Sequence, residues 1–278
     1  MALTLMYITN HPVIAEIAQS AGVDRIWVDM EHIGKEERQG GLDTVKSRHT
    51  LTDVRNLRRV VTSSELQVRI NPVHDATDGY LGTEEEVERT IAAGADVIML
   101  PMFKTKGEVE RFLTAVNGRV KTVLLFETAE AVSHIDEILS VSGIDEVHVG
   151  LNDLHLAYKM KFMFELLCEG TVQMLCEKFR SKGLKYGFGG IARVGLGMLP
   201  AELIITEHYR LGSSAAILSR GFCDANRVDD PETVRDIFLE GVRNIRLKEA
   251  EVSALSQNQY MENLMTIREK VNQIISKK

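Results

Sequence analysis

The sequence is poor in cysteine and in clustered basic residues, and both shortages exclude classes of protein. Its three cysteines, Cys168, Cys176 and Cys223, form no CxxC pair and leave an odd one over. We therefore expect reduced thiols packed as small core residues, not a disulfide framework. No basic run is longer than the terminal Lys277-Lys278 pair, and the net charge is −7. This charge pattern argues against a nucleic-acid partner.

Long apolar stretches are also missing. No run approaches the roughly 18 apolar residues of a membrane span, and the first residues carry neither a basic segment nor a small-residue cleavage site. We expect no membrane partner, no export and a cytoplasmic location. Only five prolines occur in 278 residues that are 44% apolar and 26% charged, which excludes collagen-like and largely disordered chains.

Short aliphatic runs alternate with helical patterns along most of the chain. The predicted strands are Leu3–Ile8, Arg25–Asp29, Leu66–Ile70, Asp96–Leu100, Lys121–Phe126, Glu146–Val149, Lys185–Phe188 and Ala215–Leu218. Helical patterns separate them, and one begins at a predicted capping box of Thr83 and Glu86. Eight such repeats predict an α/β fold, a closed (β/α)₈ TIM barrel. An open doubly wound sheet is the alternative, but its GxGxxG turn is missing after the first two strands.

Two segments exceed what a minimal barrel needs, so we divide the chain into a barrel of residues 1–230 and an extension of residues 231–278. The polar segment Ile33–His49 is a candidate lid or subunit contact, or else a solvated loop. The extension predicts a closing helix followed by an amphipathic helix. We expect that second helix to pack on a neighbouring subunit of a homo-oligomer, with packing on its own barrel as the alternative.

Acidic residues stand where two adjacent predicted strands end. Glu127 follows the fifth strand and Asp153 the sixth, and carboxyl ends of barrel strands form active sites. Two carboxylates that leave other positions open suit a cation of the Mg²⁺ or Mn²⁺ type. The alternative is that each is a helix cap or an ion-pair partner.

Two further strand-end residues are candidates. Arg69 follows a buried position, so it either pairs with a protein carboxylate or binds an anionic substrate group. His32 is either a general base or a structural hydrogen-bonding residue.

Five strand-end motifs together resemble one family. They are WVDMEH (27–32), VRINP (68–72), GADVIMLPMFKTKGEVERF (94–112), LLFETAEAVSHIDEIL (124–139) and HVGLNDL (148–154). In this order they resemble the HpcH/HpaI aldolase and citrate lyase β-subunit-like family of metal-dependent pyruvate aldolases. The resemblance covers roughly residues 5–225.

The resemblance implies a role for each of these residues. It makes Glu127 and Asp153 the ligands of a divalent metal, Mg²⁺, Mn²⁺ or Co²⁺, and Arg69 the group that steadies the keto-acid oxygens. His32 becomes the catalytic base, with Asp29 and Glu31 as its neighbours. The implied partners are a 2-keto acid and an aldehyde, for which a sugar-derived aldehyde is one candidate, and the implied assembly is a homo-oligomeric trimer or hexamer.

Departures from the family pattern concern the substrate. Leu125 replaces a usually polar residue, and Leu151 and Asn152 stand in a loop that usually reads G-P-x-D-L-S. This loop would supply backbone N–H groups to the substrate, so Leu151 and Asn152 are candidate substrate contacts. Arg193 follows a glycine-rich run and is either a second anion-binding residue or a surface arginine.

Three functions fit these residues. The leading one is an aldolase that forms or cleaves a 4-hydroxy-2-keto acid through a pyruvate-type enolate. The alternatives are a CoA-ester lyase of the citrate lyase β or malyl-CoA type, and a barrel that binds a keto acid or sugar without catalysis.

Overall fold

Eight parallel strands close into one barrel, each paired with its neighbours in the chain and β8 with β1. The computed structural model describes residues 2–35, 47–225 and 230–277. The strands are β1 Thr4–Ile8, β2 Arg25–Asp29, β3 Glu65–Arg69, β4 Val97–Leu100, β5 Lys121–Phe126, β6 Glu146–Val149, β7 Lys185–Ile191 and β8 Ala215–Leu218. The predicted TIM barrel is confirmed, and the open sheet is excluded.

Helices follow the strands and cover the outside of the barrel. In the described residues they are α1 Pro12–Ser20, α2 Leu51–Arg58, α3 Thr83–Ala92, α4 Lys106–Val116, α5 Ala129–Ser133, α6 Ile135–Ile138, α7 Leu151–Ala157, α8 Glu165–Cys168, α9 Thr171–Ser181, α10 Ala201–Leu211, α11 Pro231–Val252 and α12 Gln257–Ile275. None of the helices described is both long and apolar enough to cross a bilayer. Most of the candidate lid Ile33–His49, residues 36–46, lies outside the described residues.

The barrel is stable because its strands bury both faces. Alternate side chains of β2, β4 and β5 point inward and form a small inner cluster, whose buried members are Trp27, Val97, Met99, Val123 and Leu125. The opposite faces pack against the helices in a much larger cluster. Double burial explains why the strands read as continuous apolar runs in the sequence.

Local predictions failed where side chains bond across elements. The predicted capping box at Thr83 is wrong: Gly82 is the N-cap, and the hydroxyl of Thr83 instead bonds to the backbone of His74. The carboxylate of Glu86 accepts hydrogen bonds from Asn71. The helical segment that follows β5 is divided at His134 into two short helices, α5 and α6.

The C-terminal extension packs on its own barrel. Helix α11 lies against α1 and α10, and α12 lies against α8 and α10. The apolar stripe of α12, formed by Leu264, Ile267 and Val271, is buried in these contacts. The expectation that this stripe needs a neighbouring subunit is therefore corrected in favour of its alternative, because the chain's own helices cover it. The homo-oligomer stays a prediction.

Two buried histidines predict acid sensitivity. Burial lowers the pKa of His148 to about 4 and that of His208 to about 3. Below the usual histidine pKa of about 6.5, the unfolded chain binds protons at these two rings, whereas the folded chain keeps the rings neutral. The free energy of unfolding therefore decreases as the pH is lowered. From pH 6.5 to pH 5 we expect the free energy of unfolding to decrease by roughly 1 kcal/mol per pH unit for each histidine.

Urea unfolding at several pH values measures this slope. The variant His208→Gln carries no titratable ring at that position, so we expect it to lose about half of the slope. A slope that is the same in this variant and in the unchanged protein would contradict the assignment to His208.

Candidate active site

A cavity of about 520 Å³ opens at the carboxyl ends of the strands. Its floor is formed by the barrel interior, including Trp27 and Leu125, and its walls by the segments that follow β6, β7 and β8. This volume lies in the range of small-molecule sites, and this face carries the active sites of TIM barrels. The cavity is therefore the candidate active site.

Glu127 is the first residue after β5 and is buried at this mouth. Its Oε1 accepts a hydrogen bond of 3.1 Å from the backbone N–H of Met102, a residue held at the left-handed φ of 54°. Left-handed backbone in a residue other than glycine is strained and concentrates at functional sites. Gly150 closes the other side, where a Cβ atom would lie 2.6 Å from Oε2 of Glu127. The carboxylate is thus fixed by both neighbouring strand ends.

Asp153 lies in the first turn of α7 and lines the same cavity. Burial raises the pKa of Glu127 well above its usual range, and the charges of Asp153 and Glu31 raise it further, against an opposing effect of Arg69. Two carboxylates that repel each other in a buried cavity are stabilised by a cation between them. The structure brings Glu127 and Asp153 together on one cavity, and their role as metal ligands stays a prediction.

The donor set fits a hard divalent cation. In the described part of the chain, no group of three or more His, Cys, Asp or Glu residues forms a metal cluster. A site of the Mg²⁺ type needs only one or two carboxylates, because water and substrate oxygens complete its shell. Glu127 and Asp153 could hold such an ion.

Arg69 is held beside these acids by the end of β2. Its Nε and Nη2 donate to the two carboxylate oxygens of Asp29 at 2.8 Å each, and its Nη1 lies 3.3 Å from Glu31. The guanidinium also lies over the ring of Trp27, 5.3 Å from its centroid. Of the two alternatives for Arg69, the structure shows pairing with protein carboxylates.

Asp29 is paired a second time, with Lys35. The Lys35 ammonium donates to Oδ2 of Asp29 at 2.5 Å, and both side chains are buried. Burial opposes the charged form of Asp29, but Arg69 and Lys35 outweigh it and hold the pKa of Asp29 well below its usual range. Asp29 is therefore an ionised carboxylate between two cations.

The chain matches a known family over more than half its length. The family profile described as HpcH/HpaI aldolase/citrate lyase matches residues 3–163. The chain belongs to the HpcH/HpaI aldolase/citrate lyase family. The description of this family names an aldolase and a lyase.

A curated relative of this HpcH/HpaI chain is similar to it over about half of the sequence. A 2-keto-3-deoxy-L-rhamnonate aldolase of Escherichia coli K12 is 23% identical over 171 residues, which are 51% of this chain and 56% of that protein. The chain thus matches little more than half the length of this curated relative.

Solved structures share the fold. An HpcH/HpaI aldolase from Desulfitobacterium hafniense DCB-2 has a TM-score of 0.60 at 17% identity, covering 88% of this chain and 93% of that one. A family protein from Burkholderia cenocepacia J2315 has a TM-score of 0.61 at 15% identity, covering 85% and 95%. The citrate synthase SbnG has a TM-score of 0.58 at 16% identity, covering 90% of this chain and 95% of that one.

Two of the candidate residues lie apart from the cavity. His32 is not among the described residues that line it, and its Nε2 lies 3.2 Å from the carbonyl oxygen of His49. Arg193 lines a different cavity against α11, where its Cγ lies near Gly241. The expectation of Arg193 as a second anion-binding residue here is corrected, because β7 ends at Ile191 and the chain then turns toward α11.

The three departures from the HpcH/HpaI pattern do reach the cavity. Leu125 lies on its floor, and Leu151 and Asn152 lie in its wall at the start of α7. Sequence reasoning missed Lys35, which lines the cavity, and the backbone of Met102. Lys35 stands in a polar segment without periodicity, so the sequence did not single it out. The N–H of Met102 could not be predicted because every residue except proline has a backbone N–H.

Proposed function

We propose that this chain is a divalent-metal-dependent carbon–carbon lyase that forms or cleaves a 4-hydroxy-2-keto acid through a pyruvate-type enolate. One observation carries the proposal: the buried carboxylate of Glu127 shares a cavity with Asp153 and with the guanidinium of Arg69. The name of the relative from Escherichia coli, a 2-keto-3-deoxy acid aldolase, supports the same class of reaction.

Glu127 and Asp153 would hold the cation, Mg²⁺, Mn²⁺ or Co²⁺. When bound, such an ion supplies Lewis acidity toward a keto oxygen. The protein's part is to keep both carboxylates in place, which the N–H of Met102 and the lack of a side chain at Gly150 do for Glu127.

Arg69 stabilises negative charge as a methyl proton leaves the keto acid. Its donors to Asp29 and its stacking over Trp27 fix the guanidinium before the substrate binds. A guanidinium that is already fixed in place favours a developing enolate without reorganisation.

His32 is the proposed base. Since Nε2 faces the carbonyl oxygen of His49, which only accepts hydrogen bonds, this nitrogen carries the ring proton and Nδ1 is the basic one. The ring does not line the cavity, so the methyl proton would reach it through a water molecule. Asp29 and Glu31 stand in the same segment as His32, pair with Arg69 and act as positioning residues.

Proton exchange tests the proposal. Protein incubated with pyruvate and Mn²⁺ in deuterated water should exchange the methyl protons, as followed by proton NMR, and EDTA should stop the exchange. Protein without exchange activity toward pyruvate would contradict the aldolase and would favour the CoA-ester lyase or the binding scaffold.

The glycine beside Glu127 gives a second test. A Cβ at position 150 would lie 2.6 Å from Oε2 and 2.8 Å from Cβ of Glu127, so Gly150→Ala must displace the carboxylate. We expect the Kd for Mn²⁺, measured by calorimetry, to rise about 10-fold to 100-fold. Gly107→Ala is the control, because a Cβ there meets no atom within 4 Å. Equal affinity in both variants would contradict the placement of the site.

A further inference from the structure

The cavity that holds the carboxylates is too large for a three-carbon keto acid alone. Its volume of about 520 Å³ leaves space for the second reactant between the segments that follow β6 and β7. This inference rests on the proposed function, and it concerns the chemical class of that second reactant.

The part of the cavity away from the charged residues is apolar. Side chains from α7, from residues 162–164 and from residues 198–204 form this surface, which we call the apolar wall. It consists of Leu151, Phe162, Met163, Phe164, Met198, Leu199 and Ile204. Met198 belongs to this wall and is 64% exposed to solvent, so it is open to contact with a ligand.

Few polar side chains line the cavity beside the apolar wall. In the described ranges, and apart from the charged groups at the keto-acid end, the polar side chains lining the cavity are Asn152, Ser219 and Arg220. Gly189 and Gly190 contribute no side chain at all. A polyhydroxylated aldehyde would bury several hydroxyl groups, each of which needs a hydrogen-bond partner.

An alkyl chain suits this wall. Burial of methylene groups against leucine and phenylalanine is favourable, and the flexible thioethers of Met163 and Met198 adapt to the shape of a ligand. We therefore propose that the second reactant is an aldehyde with an apolar chain, not a sugar-derived one.

The reaction is an addition in which all atoms are retained. The pyruvate methyl carbon loses a proton, bonds to the aldehyde carbon, and the aldehyde oxygen gains a proton to become the 4-hydroxyl group. The aldehyde chain lies against the apolar wall while the keto acid stays at Arg69 and Glu127.

Two four-carbon aldehydes test the inference. Butanal and erythrose have equal chain length and differ in hydroxyl groups, and their addition to pyruvate is measured as kcat/KM. We expect butanal to be favoured about tenfold or more, because an apolar pocket leaves the added hydroxyl groups of erythrose without hydrogen-bond partners. Pyruvate proton exchange is measured in the same samples.

The methionines of the wall provide the variants. The double variant Met163→Gln and Met198→Gln keeps side-chain length but adds amides, and we expect it to reduce the butanal-to-erythrose ratio about tenfold. Met265→Gln is the control, since Met265 is a half-exposed residue of α12 outside the cavity. The emission of Trp27, the only tryptophan, shows whether each variant keeps its barrel interior.

The outcomes separate the two proposals. Exchange of pyruvate protons together with a preference for erythrose, or a ratio that the double variant leaves unchanged, would overturn the apolar partner and leave the lyase standing. No exchange in any sample would overturn the proposed function and this inference with it.

Discussion

Glu127→Gln should lower the rate of pyruvate methyl exchange by about a thousandfold, which corresponds to roughly 4 kcal/mol of lost transition-state stabilisation. The amide keeps the shape of the side chain but supplies one neutral oxygen in place of a charged carboxylate, so the cation loses a principal ligand. The loss should appear in kcat as well as in metal affinity. The exchange assay with saturating Mn²⁺ measures it.

The same variant should make the cation-free protein more stable. Glu127 is buried with Asp153 and Glu31 nearby, and neutralising Glu127 removes the repulsion among these carboxylates.

Glu130→Gln is the matched control for the exchange rate. Glu130 lies three residues after Glu127, is half-exposed and pairs with Lys104 at the surface. Similar exchange rates for the two variants would contradict a ligand role for Glu127.

Asp29→Asn should be the most destabilising single change at the site. The carboxylate of Asp29 neutralises both Arg69 and Lys35, and all three side chains are largely buried. Removing one partner of a buried ion pair leaves uncompensated charge and costs about 3–5 kcal/mol. Urea unfolding should therefore show a loss of this size.

Asp136→Asn is the control for this measurement. Asp136 also receives two hydrogen bonds, from Lys178, but its side chain is 71% exposed, and such pairs contribute about 0–1 kcal/mol. If the two variants lost equal stability, Asp29 would not have the buried structural role described.

The barrel and the pair of acids could be predicted from the sequence for the same physical reason. Strands buried on both faces give continuous aliphatic runs, and the polar residue that ends each run marks the mouth of the barrel. Glu127 follows directly from that rule, whereas Asp153 comes shortly after the end of β6, in the first turn of α7. Four strands, such as β2 and β5, have the predicted bounds.

The partners of the site residues could not be predicted in the same way. The motif around His32 does not reveal that its ring faces His49, and Arg193 reads as a strand-end residue although the chain turns away toward α11. Both outcomes depend on where loops lead after a strand, which periodicity does not specify.

The extension shows a similar limit. Amphipathic spacing requires that the stripe of Leu264, Ile267 and Val271 be buried, but it does not say against which surface. The surface provided by α8 and α10 arises only when the barrel closes. The sequence therefore predicts the helix and its buried face, and the fold determines the partner.

Calorimetric titration with Mn²⁺ tests the central claim, that Glu127 and Asp153 together bind one dication. We expect one ion per chain in the unchanged protein, a large loss of affinity in both Glu127→Gln and Asp153→Asn, and no loss in Glu130→Gln. Binding that persists at full affinity in the first two variants would contradict it.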